Sequence, residues 1–176
     1  MITQMLYLSK KIFPELKREV PYLKLVGNAE GVGYNRKMIS LDHIQFKNTN
    51  DGLRGYNVGN FFAEWPEKPN KEVLLKTIEG SDYVVLAIDT DTHSIIGYIT
   101  AISDGVMSAY IPFLEVDAAY QKMGIGHKLV NLILEQLDHL YMIDLICDKN
   151  LAGFYKEAGM ESWHGMIKRK ALDQHS

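Results

Sequence analysis

The chain has 176 residues, 47% of them hydrophobic and 23% charged, enough apolar material for one globular domain, alone or with an appendage, and too little for two full domains. Nineteen Lys and Arg against 22 Asp and Glu leave a net charge of −3, which argues against a surface built to coat nucleic acid or an anionic membrane. The single cysteine, Cys147, cannot form an internal disulfide or a multi-cysteine zinc site and points to a reducing, cytoplasmic setting.

The N-terminal stretch places Lys10 and Lys11 after a short apolar patch, the reverse of a secretory signal. Residues 9 to 19 are expected to form a short helix ended by Pro21, and turn formers then concentrate in Gly27-Asn28-Ala29-Glu30-Gly31-Val32-Gly33. This seam divides an accessory segment, residues 1–36, from a domain over residues 37–176. In that domain Met38 to Phe46 reads as a strand, Lys47 to Gly55 as a polar loop, and the aromatic-rich stretch from Tyr56 to Trp65 as a short helix. Pro69 and Asn70 supply a stop and an N-cap for a helix to about Glu79, with Leu74, Leu75 and Ile78 on its apolar face.

Tyr83 to Asp89 and Ser94 to Ser103 are β-branched, apolar runs of strand length, far short of the roughly 18 apolar residues that span a membrane. Asp104-Gly105 reads as a two-residue hairpin connection returning the chain antiparallel over Val106 to Val116. From Gly124 to Leu140 the residues Ile125, Leu129, Leu132, Ile133, Leu137 and Leu140 recur at helical spacing, with Lys128, Asn131, Glu135 and Asp138 opposite. A buried strand over Tyr141 to Cys147, a short helix over Asn150 to Ala158 closed by Gly159, and a last strand within Trp163 to Arg169 complete the chain. The order describes an α/β (α+β) domain, a mixed sheet covered by helices.

Chemistry concentrates between the strand ending at Val116 and the helix after Gly124. A Gly-x-Gly turn at a helix N-terminus lets backbone N–H groups approach an anion. The dinucleotide fingerprint is absent, because Leu129 stands where its third glycine belongs, and no Gly-Lys-Ser/Thr follows to make a P-loop. The six histidines show no metal-ligand spacing, so no metal is expected, and Cys147 reads as core. Pro112 interrupts a strand expected to be central, where proline removes a ladder donor.

Gln121-Lys122-Met123-Gly124-Ile125-Gly126 matches motif A of the GNAT superfamily of acyl-CoA-dependent N-acetyltransferases, and Asn150 with Tyr155 matches the Asn and Tyr of its motif B. Over about residues 38 to 170 the chain resembles that superfamily. Family members often carry Gly where this chain has Lys122. The resemblance implies a mixed, mostly antiparallel sheet with helices on both faces, splayed between its fourth and fifth strands so that the pantetheine arm of acetyl-CoA pairs with the fourth. It implies a cofactor site at Leu114 and Val116, with Leu114 N–H facing the thioester oxygen, at the backbone of Gln121, Lys122, Met123, Gly124, Ile125, Gly126 and His127 for pyrophosphate, and at Asn150 for the arm. Tyr155 would protonate the leaving thiolate. The base stays open between Tyr110, at the position where many members carry Glu, Glu115, an acid in an otherwise apolar strand, and no protein group. Tyr56, Phe61, Phe62 and Trp65 either wall the acceptor site or form plain core. The implied activity is acetyl transfer from acetyl-CoA to a primary amine of a small molecule or peptide, with no nucleic acid or membrane as partner and a homodimer left open. The alternative is a non-catalytic module of the same fold that binds acyl-CoA or a partner protein.

Overall fold

Asp89 and Ser94 end and begin two long strands that carry the sheet. In the computed structural model, which describes residues 41–62 and 68–168, β3 (Tyr83–Asp89) and β4 (Ser94–Ser103) span the ranges their apolar runs predict. They pair antiparallel from Tyr83↔Ala101 to Asp89↔Ser94. The first strand, β1 (Ile44–Lys47), lies antiparallel on the outer edge of β3. It is shorter than its sequence suggests, because residues 41–43 form a turn in which Ile44 N–H donates to Leu41 O. The expected helix over residues 9–19 and the accessory segment lie outside the described residues.

Tyr56 to Trp65 does not form the expected helix over its described part. A 3-10 turn at Leu53–Gly55 buries Leu53, and Asn57–Val58 forms a short strand, β2, parallel to the start of β4. Gly59 then packs where a Cβ would stand 2.9 Å from Ile95 O and 2.7 Å from an Asp117 oxygen. Two asparagines and a glycine in Asn57-Val58-Gly59-Asn60 are poor helix formers, and the backbone bonds to β4 and Asp117 outweigh aromatic content. Trp65 lies outside the described residues.

Helix α1 (Lys71–Glu79) begins where Asn70 predicts, its side chain accepting Val73 N–H at 2.9 Å. The turn after β4 is longer than two residues. Asp104 Oδ1 accepts the N–H groups of Val106, Met107 and Ser108, and β5 (Ser108–Val116) starts only at the last of them. An aspartate that gathers three backbone donors replaces the tight hairpin bond pattern.

Helix α2 (Ile125–Leu137) follows its apolar period, with Leu129, Val130, Ile133 and Leu137 fully buried. Strand β6 (Met142–Leu145) pairs parallel to β5. It is not buried as its composition suggests: Met142 and Asp144 face solvent while Ile143 and Leu145 pack inward. A 3-10 turn at Lys149–Leu151 leads into α3 (Ala152–Glu157), closed by Gly159 at φ 87, with Gly159 N–H on Lys156 O and Met160 N–H on Tyr155 O. Residues 163–168 form no strand, and Trp163 and Met166 stand almost wholly exposed, with no neighbouring strand among the described residues.

The sheet order is β1-β3-β4-β5-β6, with β2 beside β4, and the pairing is antiparallel except for β2–β4 and β5–β6. Side chains alternate between its faces except where the register shifts by one residue, as it does between β3 and β4 at Ile96. Val85, Ile96, Ile99, Ile111 and Leu129 join the core under α2, and Leu86, Ile95, Tyr98, Leu74 and Ile78 join the core under α1. Each fully buried Leu or Ile contributes roughly 1.5–3 kcal/mol. Among the described residues no helix is long and apolar enough to cross a membrane.

Candidate active site

The sheet opens at Pro112. Thr100 pairs with Phe113 and Ile102 with Tyr110, so Ile111 and Pro112 together face Ala101 alone, a β-bulge in β5. On the other edge, pairing with β6 ends at Ile111↔Leu145. A proline at the bulge supplies no donor to carry the ladder further. Beyond it Asp117 N–H donates to Ile96 O on β4. Backbone groups alternate along a strand, so the N–H groups of Leu114 and Val116 point away from β4, into the opening. There the Gln121 side-chain amide donates to Val116 O at 3.1 Å, leaving the Val116 N–H available.

The chain then turns sharply into α2. Asp117 caps the 3-10 turn Ala118–Tyr120 through Ala119 N–H, and Tyr120 Oη donates to the buried Asp89 carboxylate at 2.5 Å. This ties the start of the glycine turn to the end of β3. Lys122 adopts φ 62 and Gly124 φ 83, left-handed conformations that cost a residue with a Cβ roughly 1–2 kcal/mol. The first α2 bond runs from Lys128 N–H to Gly124 O, so the N–H groups of Ile125, Gly126 and His127 precede it and have no intrahelical acceptor. Among the described residues, chain neighbours apart, no atom lies within 4 Å of a Cβ placed on Gly124, whereas one on Gly126 would meet the Phe154 ring at 3.4 Å. Met123 and Ile125 turn their side chains into the core, so this loop offers a ligand mainly backbone. His127 links α2 to α3, its ring 4.3 Å from Phe154 and its Nε2 3.1 Å from Glu157.

Tyr155 sits edge-on against Phe154 at 4.9 Å, half-buried beneath α2. Burial, then the charges of Cys147 and Glu115, push its phenol up to about 12. Cys147 follows the end of β6 and Glu115 lies on β5 past the bulge, so the groups acting on Tyr155 are those that flank the opening. The Cys147 thiol is itself raised, by burial and then by Asp148. Glu115 projects to the α1 face, where its Oε2 accepts Phe62 N–H at 3.4 Å. Tyr110 lies on the closed side of the bulge, opposite Ile102 and Asp144, in an open hollow of about 420 Å³ that Asp82 and Asp104 also line. Asn150 is exposed in the turn before α3. The structure thus gathers Leu114, Glu115, Val116 and Tyr155 around the opening, sets the Lys122–His127 backbone at one end, and leaves Tyr110 apart.

A family model described as the acetyltransferase (GNAT) family matches residues 50–160. The chain belongs to the GNAT acetyltransferase family. It is 25% identical over 145 residues to an uncharacterized N-acetyltransferase of Pyropia yezoensis, covering 75% of this chain and 83% of that one. A Deinococcus radiodurans protein assigned as an acetyltransferase has a crystal structure that superposes with a TM-score of 0.71 at 37% identity, over 77% of this chain and 94% of that one. A GNAT family acetyltransferase of Streptococcus pneumoniae matches at 25% identity with a TM-score of 0.55, over 72% and 98% of the two chains.

The GNAT fold's fourth and fifth strands are β5 and β6 here, and the break in their pairing falls at the proline that the sequence marks. Two site features escape sequence reading. Tyr120 precedes Gln121 directly, but only the fold brings Asp89 to it. Tyr98, in an apolar strand, reads as core, and its position opposite Glu115 follows from the β4–β5 register alone.

Proposed function

We propose that the protein transfers the acetyl group of acetyl-CoA to a primary amine by direct attack of the amine on the thioester. The observation that carries this reading is the opening of β5 beyond Pro112, with N–H groups along its edge that have no strand partner among the described residues, the α2 N-terminus at one end and a neutral Tyr155 beside it. The space above Gly124 and the outward N–H groups of Ile125, Gly126 and His127 suit the pyrophosphate, reinforced by the helix dipole. Lys122 adds charge there. Val116 N–H and Asn150 would hold the pantetheine arm, and Leu114 N–H would meet the thioester oxygen as negative charge builds on it.

The incoming ammonium must lose a proton before it can attack. Of the two candidate groups Glu115 is the better placed, lying on β5 beyond the bulge, while Tyr110 stands on its closed side. The first proton passes to Glu115 and on to solvent. As the C–N bond forms and the C–S bond breaks, Tyr155 gives its proton to the departing sulfur and recovers one from the newly acylated nitrogen. The products are an N-acetyl amide and the free thiol of CoA.

Acetyl-CoA at about 100 times its Kd should stabilise the fold by roughly 2.7 kcal/mol and slow amide exchange at Leu114 and Val116, leaving Ser108 to Tyr110 unchanged. No protection on β5 would defeat this reading. Protection without thiol release for any amine would instead support a non-catalytic module of the same fold.

A further inference from the structure

Opposite the thioester side, on the α1 face, three features meet at Tyr98 and Glu115. Tyr98 is fully buried in β4, yet its hydroxyl has no hydrogen-bond partner among the described residues, and the Thr100 hydroxyl two residues along the same face is in the same state. Buried hydroxyls are ordinarily paired, so one left idle calls for a partner that arrives later. Glu115 is the cross-strand neighbour of Tyr98, so the two side chains rise together from one face. Burial, and then the Glu115 charge, hold the phenol well above its ordinary range and therefore protonated.

The second feature is one of the contacts that Glu115 makes. Phe62 N–H reaches Oε2 at 3.4 Å, long for a charge-assisted bond, and Phe62 adopts φ 55, an outlier conformation for an aromatic residue. An ammonium, with three donors and a full charge, is the stronger partner for that carboxylate. The third is the surroundings. Phe61 stands edge-on to Tyr98 at 5.1 Å, and Phe62 stands edge-on to Phe113 at 6.2 Å. By contrast, two of the carboxylates around Tyr110 are engaged by backbone, Asp82 with Ser103 N–H and Asp104 with three donors.

We propose that Glu115 and Tyr98 form the seat of the acceptor's ammonium, which replaces Phe62 N–H at the carboxylate, and that the acceptor is a primary amine carried on an apolar, ring-bearing group rather than a polyamine. This deepens the acetyl-transfer reading and rests on it. Tyr98 then serves as a specificity residue whose hydroxyl accepts from the ammonium or donates to a neighbouring polar atom of the acceptor.

The test uses the full chain with CoA or acetyl-CoA and two probes, 2-phenylethylamine and spermidine. Phenylethylamine should be the better substrate and should shift the Phe62 amide resonance of ¹⁵N-labelled protein saturated with CoA. Tyr98→Phe should raise KM for phenylethylamine about tenfold, the loss of one hydrogen bond, with acetyl-CoA affinity unchanged. Its Tm should hold or rise, because the hydroxyl removed has no partner in the fold; a hydroxyl with a purely structural role would lower Tm and leave KM alone. If spermidine is preferred and Tyr98→Phe leaves its KM unchanged, the seat is refuted while acetyl transfer stands. If phenylethylamine moves the Phe62 amide but no amine is acetylated, the seat stands and the transfer reading fails. The absence of both turnover and a Phe62 shift would overturn the proposal.

Discussion

Replacing Tyr155 by Phe removes one oxygen from the proposed reaction path and almost nothing from the fold. The ring keeps its edge-on contact with Phe154 at 4.9 Å, and among the described residues the hydroxyl makes no hydrogen bond that the change would orphan. Stability should therefore stay within about 0.5 kcal/mol. A positioned general acid is worth on the order of 10²- to 10⁴-fold in rate, or roughly 2.7–5.5 kcal/mol of barrier. With the phenol held at about 12 against an ordinary 10, the acid stays loaded at every pH in common use. Wild-type kcat should thus show no alkaline decline from Tyr155 below pH of about 11. The sign for stability agrees: the neutral form is favoured in the fold, so nothing is lost below the unfolded value of about 10, and stability falls as pH rises from there through the folded value. The assay is kcat by thiol release at saturating acetyl-CoA, with Tm and acetyl-CoA Kd measured on the same samples. A kcat within about threefold of wild type, together with a lowered Tm, would refute the acid role and mark the hydroxyl as structural.

Lys122→Gly should raise Tm by roughly 2–4 °C, since relief of a left-handed lysine offsets the extra chain entropy of glycine; calorimetry checks this, and acetyl-CoA affinity should at the same time become less sensitive to salt. Asp104→Ala should lower Tm at neutral pH by stranding the N–H groups of Val106, Met107 and Ser108. Those donors hold the Asp104 carboxyl down at about 2, so its contribution is complete above the ordinary carboxylate range and lost as pH falls toward 2, and thermal melts of variant and wild type should converge there. A chain of residues 37–176 should bind acetyl-CoA as the full chain does, by isothermal titration; loss of binding in a folded truncation would move the domain boundary.

Elements set by local chemistry could be read from the sequence. The period of α2, the Asn70 cap and the apolar runs of β3 and β4 each specify their element without help from distant residues. Pro112 likewise announces a broken ladder wherever it sits. What could not be read depends on partners far along the chain. Gly59 and Asn60 are held by Ile95 and Asp117, which turns an aromatic-rich stretch away from helix. Asp104 looks like half of a tight turn until its carboxylate is seen to gather three donors. The exposure of Met142 and Asp144, and the exposed chain at Trp163, reflect an edge with no neighbour among the described residues, which composition cannot reveal. At the site, motif spacing located the glycine turn and Tyr155, while the separation of Glu115 from Tyr110 by the bulge is a matter of register.

The central claim, that the opened edge of β5 serves acetyl transfer to an amine, is tested most directly by counting products. Protein, acetyl-CoA and a panel of primary amines are incubated together, and free CoA thiol and acetylated amine are measured in parallel by thiol titration and mass spectrometry. The account predicts that for at least one amine the two rise in equal amounts, and that neither rises with Tyr155→Phe beyond a few per cent of the wild-type rate. Thiol release without acetylated amine, or no release with any amine while acetyl-CoA is bound, would contradict it.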